Sequence, residues 1–260
     1  MSQYDVYRSV FRDRFGIKSW IPAWAPGADL RPGMTGRMVA GEFVYQYDLK
    51  HRGVNVPDEL PPSGKGTDHQ WSTENAVNIS VKASGQTDAA FKSLAAADLG
   101  FRLSFTDSDA MAIVYRNVTE RHLIDQRALA DEMVKSWQGG PWPKMQLGDI
   151  AITSLLVADW GFAFGASESG AEVVLRASAD VGPANASLGS ITGKIGVAWQ
   201  RSTSVSALSP DGLVVGFRGL ELRQRGLFVK KTVAEPKFEG AAEPETTEEP
   251  LVPADESWPV

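Results

Sequence analysis

The side chains able to do proton or metal chemistry are few, and their spacing does not suit it. The chain has three histidines, His51, His69 and His122, and no cysteine among its 260 residues. No pair of histidines has the His-x-x-x-His spacing of a helical zinc site, and the lack of cysteine excludes disulfides, thiolate nucleophiles and Cys-based metal sites. Asp48 with His51, and Asp68 with His69, are acid–base neighbours in sequence, but nothing around them aims a proton at a substrate. Ser63-Gly-Lys-Gly66 puts Glu59 where a phosphate loop needs its first glycine and Gly66 where it needs Ser or Thr. Gly189-Ser-Ile-Thr-Gly-Lys-Ile195 fails in the same way. Gly165-Ala-Ser-Glu-Ser-Gly170 is one residue longer than a nucleophile elbow and falls in a polar break between apolar runs. The expectation is a protein without catalytic, cofactor-binding or metal-ligating residues, and not an enzyme.

Charge divides the chain in two. Acids outnumber Lys and Arg 32 to 26, a formal −6. From Glu235 to Val260 there are eight acids against Lys237 alone, a net of −7, which leaves about +1 for everything before it. A near-neutral body without a basic stripe argues against nucleic acid as a partner. The division predicts a single domain over 1–234 and an acidic, proline-rich tail over 235–260 that is disordered by composition. Leu251, Val252, Trp258 and Val260 are candidate anchors for that tail, with Arg223, Arg225, Lys230 and Lys231 as a candidate basic patch to receive it. The N-terminus lacks an apolar signal segment and no apolar run reaches 18 residues, so a cytoplasmic protein is expected.

Elements that would position any functional residue are mostly strands. Residues 3–15 carry Tyr7, Val10, Phe11 and Phe15 at helical spacing among Arg8, Arg12 and Arg14, which predicts a short amphipathic helix with Gly16 as its cap. Strands are expected over 41–48, 76–82, 101–106 and 110–115, and residues 53–70 read as a loop. Thr87 opens a short helical pattern ending at Gly100. Thr119 starts a longer one, whose apolar stripe is Leu123, Ile124, Leu129, Met133, Val134 and Trp137. From Asp149 to Leu222 almost everything reads as strand, with Ser209-Pro-Asp-Gly212 as a type I turn closing a hairpin. The fold class is α+β: a twisted antiparallel sheet with long hairpin excursions, an amphipathic N-terminal helix and one or two packed helices.

The order of these elements resembles the pore-forming domain of gasdermins. The helix Leu129 to Trp137 running into Gly148-Asp-Ile-Ala-Ile-Thr-Ser-Leu-Leu156 is similar to the family's helix before its Val-Thr-Glu strand. Ser209-Pro-Asp-Gly-Leu-Val-Val-Gly-Phe217 resembles its proline-glycine turn before the closing strand. The likeness spans roughly residues 3–230, with Ile152-Thr-Ser154 in place of the triplet and no cysteine for the lipidation seen in some bacterial members. A short tail in place of a large inhibitory domain is also a bacterial trait of the family.

The resemblance implies a cytoplasmic effector restrained by its tail that moves to the membrane on activation and oligomerises with copies of itself into a β-barrel pore. Its implied partners are anionic lipids and an activating protease or a protein acting at the tail. Arg8, Arg12, Arg14, Phe11, Phe15, Trp160, Phe162, Phe164 and Trp199 become candidate membrane contacts. The competing class is a non-catalytic assembly or binding subunit of a cytoplasmic or viral complex.

Overall fold

Runs of β-branched and aromatic residues, broken by left-handed turn residues, assemble into two antiparallel sheets. The computed structural model describes residues 3–24, 26–62, 65–81, 101–138, 145–177, 195–209, 212–225 and 231–237. Its strands are β1 (Ile21–Pro22), β2 (Met34–Val39), β3 (Glu42–Asp48), β4 (Glu59–Leu60), β5 (Thr67–Ser72), β6 (Val77–Val81), β7 (Phe101–Phe105) and β8 (Met111–Leu123). They continue with β9 (Ile150–Ala158), β10 (Trp160–Ala166), β11 (Glu172–Ala177), β12 (Ile195–Arg201), β13 (Thr203–Ser209), β14 (Leu213–Arg225) and β15 (Lys231–Lys237). Eleven form one large sheet, and β12-β11-β7-β6 form a second. The expected α+β class with a twisted sheet and an N-terminal helix is what the chain adopts.

Three long lines of chain make the large sheet. The first is β8, and the second is β9 followed by β10, which pair with its two halves. The third is β13 followed by β14, lying along the far edge of the second. This corrects the hairpin expected at Ser209–Gly212. Ser209 faces Gly161 on β10 and Leu213 faces Ala158 on β9, so the chain kinks there and continues along the same edge instead of reversing. The kink is matched across the ladder. The Asp159 amide donates to the Arg116 carbonyl at 3.0 Å, the Gly212 amide donates to the Asp159 carbonyl at 3.0 Å, and Asn117 adopts a φ of 50°.

Two further expectations fail for a common reason. Thr119 to Leu123 are strand, not helix: Thr119, Glu120, Arg121 and His122 pair with Val157, Leu156, Leu155 and Ser154 of β9. Glu120 and Arg121, both good helix formers, are held extended here because a ladder outweighs propensity. Consequently Leu123 is a core strand residue, Ile124 is exposed, and His122 does not lie on a helix. The helix α2 starts at Gln126 and ends at Gln138, with the Asp125 carboxylate accepting the Ala128 amide at 2.9 Å as an N-cap. The loop expected over 53–70 contains β4 and the first half of β5, both paired to β8. The helix expected after Thr87 lies outside the described residues.

The N-terminal segment folds as expected, as α1 (Gln3–Ser9) continued by a π-turn over Val10–Arg14, with Gly16 at a φ of 71° just beyond. Side chains of β8 and β10 alternate between two cores. Ala112, Val114, Phe162 and Phe164 point into one with Leu103, Phe105, Val173 and Leu175 of the second sheet. Met111, Ile113, Tyr115 and Ala163 point into the other, with Tyr7, Val10, Phe11 and Trp20. The large sheet is therefore the middle of three layers. β9 is buried at every position between other clusters, Leu156 and Ala158 with the N-terminal segment, Ala151 with α2, and Ile152, Leu155 and Val157 with Ile21, Met34 and Phe217, so it lacks the clean alternation of a half-exposed strand.

Candidate functional site

The excursions from the large sheet meet each other. β6 and β7 pair from Val77↔Phe105 to Val81↔Phe101, and β11 and β12 from Glu172↔Arg201 to Ala177↔Ile195. The two hairpins join through β7 and β11, where Glu172 faces Ser104 and Leu175 faces Phe101. One face of this sheet, with Leu103, Phe105, Val173 and Leu175, is buried. The other carries Asn78, Arg102, Ser104, Glu172 and Val174, all half-exposed or exposed. Such a two-faced sheet suits a core on one side and water on the other, and equally lipid on one side and a lumen on the other.

Each of the four passages between the sheets turns on a left-handed residue. Asn75 (φ 57°) lies between β5 and β6, Asp109 (φ 67°) between β7 and β8, Gly170 (φ 80°) between β10 and β11, and Ser202 (φ 51°) between β12 and β13. Three of these four are not glycine, and left-handed backbone costs an L-residue about 1–2 kcal/mol, less for Asn and Asp. Hydrogen bonds hold the bends in place. The Asp109 amide donates to the Ala166 carbonyl at 3.1 Å, the Gly170 amide to the Phe105 carbonyl at 2.9 Å, and the Ser167 amide to the Ser202 carbonyl at 2.8 Å. The Ser167 hydroxyl donates to the same Ser202 carbonyl at 2.7 Å.

The N-terminal helix ties these bends to the body. Gln3 Nε2 donates to the Ala166 carbonyl at 2.6 Å, while its Oε1 accepts the Ser204 hydroxyl at 2.6 Å. Tyr4 donates to the Gly41 carbonyl in the β2–β3 turn. Tyr115 donates to the Tyr7 hydroxyl at 3.0 Å, and Tyr7 donates to the Val215 carbonyl at 3.2 Å. Burial pushes both phenols well above their ordinary value, so the chain of hydroxyls stays protonated. Phe11 lies against Gly216, where an added Cβ would come within 2.6 Å of its ring.

The candidate membrane contacts fare unevenly against this geometry. Phe11, Phe162 and Phe164 are fully buried, so in this conformation they are core and touch no membrane. Trp160 is half-buried against Phe162, and Phe15 is half-buried between Tyr115 and His69. Arg12 pairs with Asp13 at 2.9 Å, Arg14 is exposed and Arg8 is half-exposed. Trp199 belongs to β12, opposite Val174, with its side chain outside the described residues. Of the candidate basic patch, Arg223 is engaged by Glu221 at 2.8 Å, and Arg225 and Lys231 face each other across β14 and β15. Lys230 and the anchors Leu251, Val252, Trp258 and Val260 lie outside the described residues. Glu235, Pro236 and Lys237, the first residues of the expected tail, are paired in β15 with Glu221, Leu220 and Gly219.

Sequence reasoning missed a buried ion pair that fixes the foot of β9. Asp149, almost wholly buried, accepts Arg37 Nε at 2.7 Å, the Gln146 amide at 2.7 Å and the Tyr47 hydroxyl at 3.4 Å. Burial, and next the Asp149 charge, push the Tyr47 phenol up. Residues 112 apart in sequence meet here, and no local signal announces such a pair. The arrangement is structural: every acceptor is used internally. Among the described residues no group of three His, Asp or Glu could hold a metal ion, and no helix is long and apolar enough to cross a membrane.

The class defined by this architecture is a two-sheet α+β protein in which a pair of hairpins forms a four-stranded layer on a larger sheet. No protein-family model matches the chain, and no curated protein matches it.

Proposed function

We propose that the protein is a membrane pore former whose two hairpins unfold from the body and extend into the strands of a β-barrel. The carrying observation is the second sheet, a four-stranded antiparallel unit made only of the excursions and hinged at all four strand ends. Length supports the reading. Val77 to Phe105 is 29 residues and Glu172 to Arg201 is 30, each enough for two strands of about 10 residues, the bilayer-crossing length, plus a turn. The described parts of the four strands are five to seven residues each.

Strand direction supports it as well. In the order β12-β11-β7-β6 directions alternate, so β12 of one copy set beside β6 of the next continues the antiparallel pattern. Identical copies then join head to tail, and a ring of them closes without leaving an edge in lipid. The body has no role in catalysis on this reading, and the acidic tail restrains the hairpins until it is cut or displaced.

Liposomes containing anionic lipid and a trapped dye test the proposal. The chain carries a protease site inserted after Lys237, beyond the last paired residue of β15. Leakage should appear on cleavage and not before. Intact liposomes after complete cleavage of folded protein would favour the assembly-subunit reading instead.

A further inference from the structure

The edge of the large sheet formed by β3 is open and apolar in an unusual way. Among the described residues β3 pairs only with β2. Val39 and Val44 on one face and Tyr45 on the other are 55%, 48% and 49% exposed, apolar side chains on both faces of a strand whose outer edge is unpaired, the kind of edge proteins ordinarily cover or charge. At the C-terminal end of β3 the 3₁₀ turn Lys50–Arg52 adds an exposed Lys50, His51 and Arg52, with the Arg52 guanidinium 5.9 Å over the Tyr47 ring. A ligand for this edge needs apolar side chains flanked by acids.

The chain itself contains such a ligand. Residues 238–260 hold seven acids and no Lys or Arg, with Glu248 and Glu249 one proline before Leu251 and Val252, and Asp255 and Glu256 shortly before Trp258. Their point of departure is on the same sheet. Lys237 faces Gly219, Gly219 faces Ile152, and the neighbouring β9 residue Ala151 faces Thr35 of β2, which faces Tyr47 of β3. Three strand spacings across to β2 and about five residues along put Val39 about 22 Å from Lys237, with Val44 one strand further. The eleven residues 238–248 span up to about 36 Å when extended, so the acidic and apolar segment behind them reaches the edge without strain.

We propose that the β3 edge is the seat of the chain's own C-terminal segment. Leu251, Val252 and Trp258 cover Val39, Val44 and Tyr45, and the acids on either side lie against Lys50 and Arg52. The basic patch at Arg223 is a poorer receiver, since Arg223 is already engaged by Glu221. This seat holds whether or not the protein permeabilises membranes.

A photocrosslinking benzoylphenylalanine at position 45 of the full chain tests it without reference to leakage. On illumination, peptide mapping should place the dominant crosslink within residues 248–260, intramolecular and independent of protein concentration. The double substitution Leu251→Asp/Val252→Asp should lower its yield at least tenfold, with the thermal midpoint of the chain unchanged. A crosslinked dimer whose yield rises with concentration would assign the edge to a second copy and overturn the proposal. Absence of any crosslink to 248–260 would overturn it equally.

Discussion

His69 shows how one side chain can make the N-terminal segment sensitive to acid. Its ring lies 4.8 Å from that of Phe15, at the end of the π-turn, and Phe15 in turn meets Tyr115 edge-on. Burial lowers the His69 pKa from its ordinary 6.5, against the opposing pull of Asp68. That pull is steady, because the Asn117 amide, and after it Arg116, keep the Asp68 carboxyl below its usual range and so charged. A histidine with a lowered folded pKa contributes stability fully present above 6.5, which is lost as pH falls from there through the folded value. Acidification below pH 6.5 should therefore loosen the Phe15 contact. The protection factors of the amides of residues 10–17, taken against the intrinsic rate at each pH from 7.5 to 5, should fall in the native chain and stay level in His69→Phe. Equal slopes in the two proteins would remove His69 from the account.

At the scale of elements, the bends between the sheets are the places where backbone and function meet. Gly170 has open space where a Cβ would stand, so Gly170→Ala meets no clash and pays only for its φ of 80°. The change should destabilise the folded chain by about 1 kcal/mol in urea unfolding. Because the strain vanishes when β10 and β11 straighten into one strand, the same change should hasten leakage after tail cleavage. An unchanged stability would show that the bend is not held left-handed in solution.

These bends also mark the limit of what the sequence discloses. The strands at Val77 and Phe101 are legible because period-two patterning reports local burial, and the one at Ala151 because a short, nearly continuous apolar run fits a strand buried on both faces. The kink at Ser209–Gly212 was not: a Pro-Asp-Gly turn signal is the same whether the chain reverses or continues, and only pairing with β9 and β10 decides. The start of α2 was misplaced for a related reason, since the long-range ladder from Thr119 to His122 is invisible to propensity. The pairing of the two excursions with each other, the feature on which the functional reading rests, joins Phe101–Ser104 to Glu172–Leu175 and had no local signature at all.

For the whole molecule, the three-layer arrangement assigns the two faces of the hairpin sheet different fates. Leu103, Phe105, Val173 and Leu175 rest on the large sheet; under the proposed pore-forming function they detach from it and need another apolar medium, which a bilayer supplies. Arg102, Ser104 and Glu172 then line the lumen. Charge on that face governs which ions pass, while its exposure in the folded chain lets it be altered without disturbing the core. Glu172 and Ser104 stand opposite each other on neighbouring strands, so one substitution changes the charge of a ring repeated in every copy. Glu172→Lys should leave the thermal midpoint within about 2–4 °C of the native chain, as expected for a change of about 1 kcal/mol or less in a domain of this size. In planar bilayers under a salt gradient, the reversal potential of the cleaved protein should move toward the anion side. A reversal potential that ignores Glu172→Lys, in a variant that still leaks, would mean that this face does not line the conducting path.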